Sequence, residues 1–395
     1  MKLMLTTNGR LYKNSKGEYY TPMVYDYSFF RRYLSVFEEI RLVAHVEQLQ
    51  HENSNTMLRV DGQGVEIFEV PFPHGKIQYI LNYLNIASRL KNAAKGCDAA
   101  IFRIPDQLAF QALSVARKAR LPIGVEVTSN SWEFFEKDSI TSAFRPLIRI
   151  LWDRLQKRAC KTAIASSYVT RNSIQKRYKP NKSLDSFSTH CSSVDITLFR
   201  GNARNYGNDP LKSLRCLHVA GSINTVAKGH GELLQAAAIL KKNGISITCV
   251  LIGGGELSRE NGDYIMENSI DVEIKGLLSA CNIAQEMQNA DLFVFPSYRE
   301  GLPRVVIEAM AVGLPCITTN LEGIKELLDE CVMVPVRDAE ALASKILFCA
   351  NNPSFLTDQS ARNMKLAEEF APERLEERRK EFYCFLRQKA NKHYA

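Results

Sequence analysis

The stretch from Ala290 to Pro315 decides the fold class, and it reads ADLFVFPSYREGLPRVVIEAMAVGLP. Its apolar run from Leu292 to Phe295 predicts a short buried parallel strand. The residues from Val305 to Met310 have helical composition, and Pro303 suits a first helical position. Strand, polar turn and helix in succession are typical of an α/β fold, and open α/β sheets bind ligands outside the carboxyl ends of their strands. We therefore expect a ligand site at the turn.

Two glutamates accompany this turn. Glu300 lies in it, and Glu308 follows after seven intervening residues, about one turn into the helix. An isolated glutamate near a helix N-terminus is explained by the helix dipole alone. A pair at this spacing can place both carboxylates beside the first free helix amides. Amides bind phosphate and carboxylates accept hydrogen bonds from sugar hydroxyls, so the pair indicates a ligand that carries both groups.

The same stretch resembles the E-x7-E signature of retaining, nucleotide-sugar-dependent glycosyltransferases, usually called glycosyltransferase family 4 or glycosyl transferases group 1. Upstream, His218 to His230 is similar to the family's strand, glycine turn and Lys-Gly pair, and downstream Thr318 to Glu326 resembles its Gly-x-x-Glu stretch. The resemblance covers residues 214–350 well. It is thinner in the first half, where Gly124 to Glu133 and Ser167 to Thr170 look like segments of the polysaccharide-building branch. It implies the GT-B architecture, an α/β fold of two Rossmann-like, doubly wound parallel-sheet domains that face a central cleft.

The resemblance also implies residue roles. Lys228 is expected to contact the diphosphate and Glu300 to face the transferred sugar, and these two are the predicted catalytic residues. Glu308 is expected to bind the ribose hydroxyls. The predicted donor-binding residues are Glu308, Gly301, Leu302, Arg304, Gly221 and Ser222.

Three features modify this site. Pro303 lacks an N–H group, so an amide contact to the donor must come from Leu302 or Arg304. Many family members carry an arginine where this chain has Ser222, and we expect Arg304 or Arg299 to supply that charge. No two aspartates lie two positions apart, so the Asp-x-Asp metal motif is missing. We therefore expect neither a metal nor a cofactor, and cationic side chains and amides must stabilise the departing diphosphate.

The first half offers candidate acceptor contacts. Many family members carry a histidine after the strand that matches Gly124 to Val127. In this chain Glu126 and Asn130 occupy that neighbourhood, and they are the predicted acceptor-side residues.

The order of segments predicts two doubly wound domains. Strand-like and helix-like runs alternate, as in Ala99 to Ile104, Gln107 to Arg120 and Pro122 to Val127. The pattern restarts after the polar segment from Arg200 to Pro210, the predicted linker. We predict an acceptor-binding domain at 1–205, a nucleotide-sugar-binding domain at 206–370 and a charged helix within 371–395. In the resembled family this helix crosses back onto the first domain.

The formal charge of +8 is unevenly distributed. Residues 1–205 hold 30 Lys and Arg against 18 Asp and Glu, which gives +12. The densest basic region predicts a basic amphipathic helix, because its apolar residues recur at helical spacing. These residues are Phe144, Leu147, Ile148, Leu151 and Leu155. Such a helix can dock on an anionic membrane surface, capture a lipid-diphosphate acceptor, or simply cover the sheet with its apolar side. Nucleic acid is not expected, because no aromatic stacking pattern or helix-turn-helix signature is present.

Together these features predict a retaining, metal-independent glycosyltransferase of the hexosyltransferase type. It would move a sugar from a nucleotide-diphosphate sugar to a glycan or polyprenyl-diphosphate-linked glycan, in the biosynthesis of a capsule, exopolysaccharide or lipopolysaccharide. Ten cysteines without a C-x-x-C pair favour a reducing compartment. No signal peptide and no run of 18 apolar residues are visible. We expect a cytoplasmic protein, peripheral on the inner face of the plasma membrane.

Three alternatives remain open at this point. A sugar-nucleotide epimerase shares the architecture, and a non-catalytic partner subunit could keep the fold. A nicotinamide-dependent dehydrogenase is suggested by Gly253-x-Gly255-x-x-Ser258, a near miss of the dinucleotide fingerprint, with Glu273 where a ribose-binding acid could lie.

Overall fold

The computed structural model describes residues 1–22, 25–49, 57–73, 75–135 and 144–394. The chain divides into two compact units. The first comprises Met1–Cys191 together with Glu377–Ala395, and the second comprises Ser192–Glu376. The segment from Arg200 to Pro210, predicted as a linker, belongs to the second unit.

Two side chains in that segment bind the second unit directly. The Arg204 guanidinium donates to the carbonyl of Met287 at 2.6 Å, and the Tyr206 hydroxyl donates to the carbonyl of Asp291 at 2.7 Å. These bonds attach the segment to the sheet that follows it.

The first unit is built on a largely parallel sheet. Its described strands are β1 (Lys2–Lys13), β2 (Tyr19–Thr21), β3 (Glu39–Gln48), β4 (Leu58–Arg59), β5 (Val65–Pro71), β6 (Ala99–Ile104), β7 (Ile123–Val127), β8 (Ala165–Tyr168) and β9 (Phe187–His190). The parallel strands follow the order β5-β3-β1-β6-β7-β8-β9, and β2 and β4 extend the sheet in antiparallel pairing. Every residue of β6 and β7 is buried, as expected for strands covered on both faces.

Helices cover both faces of this sheet. The described helices are α1 (Tyr27–Leu34), α2 (Lys76–Ala94), α3 (Gln107–Lys118), α4 (Ser131–Phe134), α5 (Arg145–Thr162), α6 (Ser173–Arg177) and the C-terminal α13 (Pro372–Tyr394). Residues of α2, α3 and α5 share one core with Phe102 of β6. Residues of α1 and α13 share the other core with Ile101, its neighbour along the strand. The alternation of these two residues follows the two-residue repeat of a strand.

The second unit is a doubly wound domain. Its described strands are β10 (Ser213–Ser222), β11 (Ser246–Gly254), β12 (Asp271–Gly276), β13 (Leu292–Phe295), β14 (Cys316–Thr319) and β15 (Met333–Val334). Its described helices are α7 (His230–Lys242), α8 (Arg259–Asn268), α9 (Ala280–Asn289), α10 (Arg304–Ala311), α11 (Ala339–Asn351) and α12 (Pro353–Ala367). The strands are parallel in the order β12-β11-β10-β13-β14-β15, so the order reverses between β10 and β13. Sheets of this kind bind ligands at such a switch point.

The predicted strand from Leu292 to Phe295 is β13, with the same bounds. The predicted helix after it is α10, and Pro303 occupies its N-cap rather than its first helical position. The predicted α/β fold of two Rossmann-like sheets is confirmed for each unit.

The predicted basic helix is α5, but its apolar residues do not all turn inward. Leu147 and Leu151 are 66% and 55% exposed, whereas Asp153 and Gln156 are buried. The reason is the 100° step of a helix, which places residues 147, 151 and 154 on one side and residues 153, 156 and 160 on the other. Leu155 packs against the core beneath α5, so the helix covers the sheet with only part of its predicted apolar face. Among the described residues, no helix combines the length and apolar character needed to cross a bilayer.

Candidate functional site

The loops that follow β10 and β13 lie side by side because these strands are paired in the sheet. The amide of Tyr298 donates to the carbonyl of Ala227 at 2.9 Å. The hydroxyl of buried Ser297 lies 3.2 Å from the same carbonyl. These contacts join the Lys-Gly loop to the acidic turn and bring Lys228 to Glu300.

Lys228 and Glu300 form an ion pair at the switch point. The ammonium of Lys228 lies 2.6 Å from Oε1 of Glu300, and the side chains are 30% and 16% exposed. The Ser297 hydroxyl donates to the same Oε1 at 2.9 Å. Among the described residues no donor reaches Oε2 of Glu300, and the ammonium has two further N–H donors. The pair is therefore positioned to bind a ligand with both partners at once.

Two glycines let the loops approach closely. Gly229 has a φ of 75°, and a Cβ atom there would lie 2.1 Å from the carbonyl oxygen of Pro296. A Cβ atom at Gly323 would lie 1.5 Å from the carbonyl oxygen of Gly301. A side chain at either position would collide with the backbone of the acidic turn. The role of Gly323 follows from this contact with the neighbouring loop, which the sequence does not reveal.

Helix α10 begins without a capping side chain. Pro303 is its N-cap and makes no side-chain cap hydrogen bond. The first residues of a helix have no intrahelical acceptor for their N–H groups, so the amides of Arg304 and Val305 are available to an anion. The helix dipole favours a negative charge at the same place.

Glu308 lies on α10, mostly buried, and among the described residues no side chain forms a hydrogen bond or ion pair with its carboxylate. Burial raises the pKa of Glu308 to about 7, Arg304 acts to lower this pKa, and Asp195 acts to raise it further. A buried carboxylate without a protein donor can accept hydrogen bonds from ligand hydroxyls. This is the property that the ribose-binding role requires.

The other predicted donor-binding residues surround the same loops. Ser222 ends β10, and its hydroxyl binds the side-chain oxygen of Asn224. A Cβ atom at Gly221 would meet nothing within 4 Å, so this glycine borders open space. Leu302 is half-buried in the acidic turn, and Arg304 is exposed at the start of α10. In the described part of the chain neither Arg299 nor Arg304 forms an ion pair.

A pair of buried histidines, His218 and His230, lies close to Lys228. The rings of His218 and His230 are 4.5 Å apart and meet edge to face. Burial, assisted by Lys228, lowers the pKa of His230 to about 4. Burial, assisted by His230, lowers the pKa of His218 to about 3. Both rings are therefore neutral near pH 7, and Lys228 carries the positive charge of this loop. Nowhere in the described ranges do three His, Cys, Asp or Glu side chains group as metal ligands would.

Glu126, a predicted acceptor-side residue, has protein partners for its carboxylate. It forms an ion pair with Arg103 and accepts hydrogen bonds from the hydroxyls of Tyr33 at 2.9 Å and Tyr383 at 3.1 Å. Burial acts to raise the pKa of Glu126, but Arg103 and Arg32 hold it below its usual range. This carboxylate ties α1 and α13 to the sheet.

Asn130, the second predicted acceptor-side residue, caps the short helix α4. Its side-chain oxygen accepts from the amide of Trp132 and from the hydroxyl of Tyr178, both at 3.0 Å. Its side-chain nitrogen donates to Glu133 at 2.6 Å. The acceptor role of Glu126 and Asn130 stays a prediction.

Glu273, the acid with which a dehydrogenase would bind ribose, has protein partners for its carboxylate. Glu273 accepts from Arg215 at 2.5 Å and from Lys275 at 2.9 Å. A Cβ atom at Gly253 would lie 2.6 Å from the carbonyl oxygen of Ala220, so this glycine is required by the close approach of strands β10 and β11 at their carboxyl ends. Gly253 thus has a packing role that does not involve a dinucleotide.

Comparison with known proteins identifies the family of the segment that contains these loops. Residues 215–352 match the family described as Glycosyl transferases group 1. Protein CapJ of Staphylococcus aureus is 23% identical over 357 residues, which cover 87% of this chain and 84% of CapJ. The amylovoran biosynthesis glycosyltransferase AmsK of Erwinia amylovora is 34% identical over 145 residues, 34% of this chain and 35% of AmsK.

Two further similarities are to a relative and to a solved structure. The N,N'-diacetylbacillosaminyl-diphospho-undecaprenol alpha-1,3-N-acetylgalactosaminyltransferase of Campylobacter jejuni is 30% identical over 152 residues, 38% of this chain and 37% of that protein. The structure of Anabaena HepE in complex with UDP and glucose covers 100% of this chain and 99% of its own, with a TM-score of 0.61 and 15% identity.

The fold is that of GT-B glycosyltransferases, and the matched domain assigns the chain to the glycosyltransferases. Residues 215–352 carry a Glycosyl transferases group 1 domain, as the resemblance to that family predicted. The chain is therefore an enzyme, and the dehydrogenase alternative is wrong.

Proposed function

We propose that this enzyme moves one sugar from a nucleoside-diphosphate sugar to a glycan acceptor in surface polysaccharide biosynthesis, with retention of configuration and without a metal. The observation that carries the proposal is the Lys228–Glu300 ion pair at the switch point of the second sheet. Arg304, the first residue of the uncapped helix α10, follows Glu300 by four positions, and among the described residues no side chain pairs with the carboxylate of Glu308 one turn further along. This set offers cationic, amide and carboxylate groups to one ligand.

Each group has a task in the proposed reaction. The bond between the anomeric carbon and the diphosphate oxygen breaks, and negative charge grows on the diphosphate. Lys228 and the free amides of α10 stabilise that charge. Glu300 orients sugar hydroxyls through Oε2 and offsets positive charge at the anomeric carbon, while Glu308 accepts from the ribose hydroxyls.

Retention requires that the acceptor oxygen bonds the anomeric carbon on the face that the diphosphate leaves. As the family resemblance implies, the departing phosphate oxygen then accepts the acceptor's proton. The lack of an Asp-x-Asp motif supports the metal-independent form of this step, because Lys228 and the α10 amides provide the positive potential instead.

The proposed acceptor is a polyprenyl-diphosphate-linked glycan at the cytoplasmic face of the membrane. Support comes from the Campylobacter relative, whose name specifies a diphospho-undecaprenol-linked substrate. The excess of 30 cations over 18 anions in residues 1–205 also suits an anionic lipid-linked substrate. Surface polysaccharide assembly is supported by the similarity to AmsK.

The test is donor binding and transfer by the isolated chain. A panel of nucleotide sugars should contain one that raises the melting temperature, because a ligand of the folded state stabilises it by mass action. With that donor, Lys228→Ala and Glu300→Gln should each lower kcat by about a hundredfold or more. Lys242→Ala is the matched control, because Lys242 is an exposed lysine at the end of α7.

Two results would contradict the proposal. Loss of transfer when a metal chelator is added would show that the reaction requires a metal. Equal kcat values for Lys228→Ala and Lys242→Ala would show that Lys228 is not part of the catalytic site.

A further inference from the structure

Helix α5 presents a stripe of large apolar side chains to solvent. Leu147 is 66% exposed, Ile150 is 42% exposed and Leu151 is 55% exposed. Single exposed leucines are common on protein surfaces, but several on one helix face form an apolar patch. These side chains do not pack in the core of the first unit, so a binding partner that covers them would explain their exposure.

The same stripe continues into basic residues. Arg154, Arg158 and Lys161 follow Leu151 at steps of three or four residues, so they lie on the same side of α5. All three are exposed, and among the described residues none forms an ion pair. From Leu147 to Arg158 the stripe extends about 16 Å along the helix. We call the residues Leu147, Ile150, Leu151, Arg154, Arg158 and Lys161 the α5 face.

Helix α2 repeats this pattern on the same face of the sheet. Leu81 and Leu84 are 76% and 80% exposed in its first half, and exposed Arg89 and Lys91 lie in its second half. Helices α2 and α5 contribute to one common core. Each runs back toward the amino end of the next strand, so each begins near the carboxyl edge of the sheet. Both apolar groups therefore lie toward the edge where α/β sheets bind ligands.

We propose that the α5 face docks the enzyme on an anionic phospholipid bilayer. Leucine and isoleucine side chains enter the boundary between headgroups and acyl chains, and the basic residues contact lipid phosphates. Charge complementarity favours this occupant over a second copy of the chain. Residues 1–205 carry a net charge of +12, which opposes their approach to an identical surface and attracts an anionic one.

This inference rests on the proposed function, because docking would bring the enzyme to a lipid-linked acceptor that lies in the bilayer. The binding itself is independent of catalysis. It can therefore be measured without donor or acceptor.

The test is sedimentation with vesicles of phosphatidylcholine, alone or with about 30% phosphatidylglycerol. The full chain should bind the anionic vesicles and lose most of this binding when salt rises from about 0.1 M to about 1 M. Leu147→Ser with Leu151→Ser should weaken binding at least about tenfold, because two apolar side chains no longer leave water. Leu184→Ser, which changes an exposed leucine outside the helix, should bind as the wild type does.

Charge reversal gives a second, independent arm. Arg154→Glu with Arg158→Glu should weaken binding about thirtyfold or more, since each basic residue near an anionic surface contributes about fivefold. Lys242→Glu with Arg259→Glu makes the same change in net charge in the second unit and should leave binding unchanged. Circular dichroism and melting temperature verify that each variant is folded.

Several outcomes would overturn the docking proposal. Among them are a wild type that ignores anionic vesicles, equal binding to neutral vesicles, and α5 variants that bind as their controls do. Self-association that depends on Leu147 and Leu151, without vesicle binding, would assign the α5 face to a second copy instead. A wild type that transfers sugar to a water-soluble acceptor but binds no vesicles refutes docking alone. Vesicle binding without donor binding or transfer refutes the proposed function alone.

Discussion

Packing holds Glu308 in its site, since none of the side chains that the structure describes pairs with its carboxylate. Burial raises the pKa of its carboxyl from 4.5 to about 7, so the folded chain keeps a proton that the unfolded chain releases between these values. The free energy of unfolding therefore falls as pH rises through this window, by on the order of 2 kcal/mol. Such a cost is typical of a residue that is positioned for a ligand.

The first prediction concerns the pH dependence of donor binding. Donor affinity should rise about tenfold from about pH 6 to about pH 8, because hydroxyl donors bind the ionised carboxylate of Glu308 better than its neutral form. Glu308→Gln should bind the donor weakly and without this dependence. Isothermal titration at several pH values measures both. A wild-type affinity that stays flat over this range would contradict the ribose-binding role.

The same variant has an internal control in its stability. Without donor, Glu308→Gln should unfold at a higher temperature than the wild type above pH 7, since the amide carries no charge to bury. Below about pH 4 the two should melt together, because both side chains are then neutral. A stability difference that is constant with pH would mean that the pKa of Glu308 is unshifted.

The acidic turn depends on its neighbouring loops. Gly323 follows β14 and touches the carbonyl of Gly301, while Gly229 precedes α7 and touches the carbonyl of Pro296. These backbone contacts hold the turn from both sides. Glu300 therefore owes its position to the loops that follow β10 and β14 as well as to its own loop after β13.

The second prediction tests this support. Gly323→Ala would place a Cβ atom 1.5 Å from the carbonyl oxygen of Gly301, so the turn must move by an ångström or more. We expect kcat to fall about a hundredfold, because catalysis is sensitive to misplacement on that scale. Gly262→Ala is the matched control, since its Cβ atom would meet nothing within 4 Å. Equal kcat values for the two variants would show that the turn is not supported in this way.

Sequence reasoning succeeded where the signals were local. Strand β13 and helix α10 were predicted from apolar runs and from a proline, and the structure moved only Pro303 by one position. The ion pair between Lys228 and Glu300 was not readable, although both residues were chosen. It depends on the pairing of β10 with β13, which joins segments that lie more than 70 residues apart.

The same limit explains the residues that were missed or misread. Ser297 has no role in the site predicted from sequence, whereas its hydroxyl lies 2.9 Å from Oε1 of Glu300 in the structure. The spacing of Leu147 and Leu151 predicts a helix, but spacing alone does not say which side of a helix faces the sheet. That choice depends on the tertiary packing of α5.

At the scale of the whole molecule, the chain returns to its first unit at its end. Phe382, Tyr383 and Leu386 of α13 are buried in the core that contains Leu3 and Leu5 of β1. Strand β7 makes room for the helix at Gly124, where a Cβ atom would lie 3.0 Å from the ring of Phe382. The first unit is thus completed by residues more than 180 positions beyond its other end.

The third prediction tests this arrangement through fluorescence. The two tryptophans of the chain, Trp132 and Trp152, both lie in the first unit, so tryptophan emission reports unfolding of that unit. Leu386→Ala should lower its stability by about 2–5 kcal/mol, because it leaves a cavity in a packed core. Cys384→Ala changes an exposed residue on the same helix and should leave the emission midpoint in urea unchanged.

The donor provides the complementary measurement. The proposed donor residues Lys228, Glu300 and Glu308 all lie in the second unit, so donor should still bind Leu386→Ala under conditions where the first unit is folded. A large loss of donor affinity with an unchanged emission midpoint would assign α13 to the donor site instead of to the core of the first unit. The opposite result, a lowered midpoint with donor affinity retained, would show that the last helix stabilises one unit while the other carries the donor chemistry.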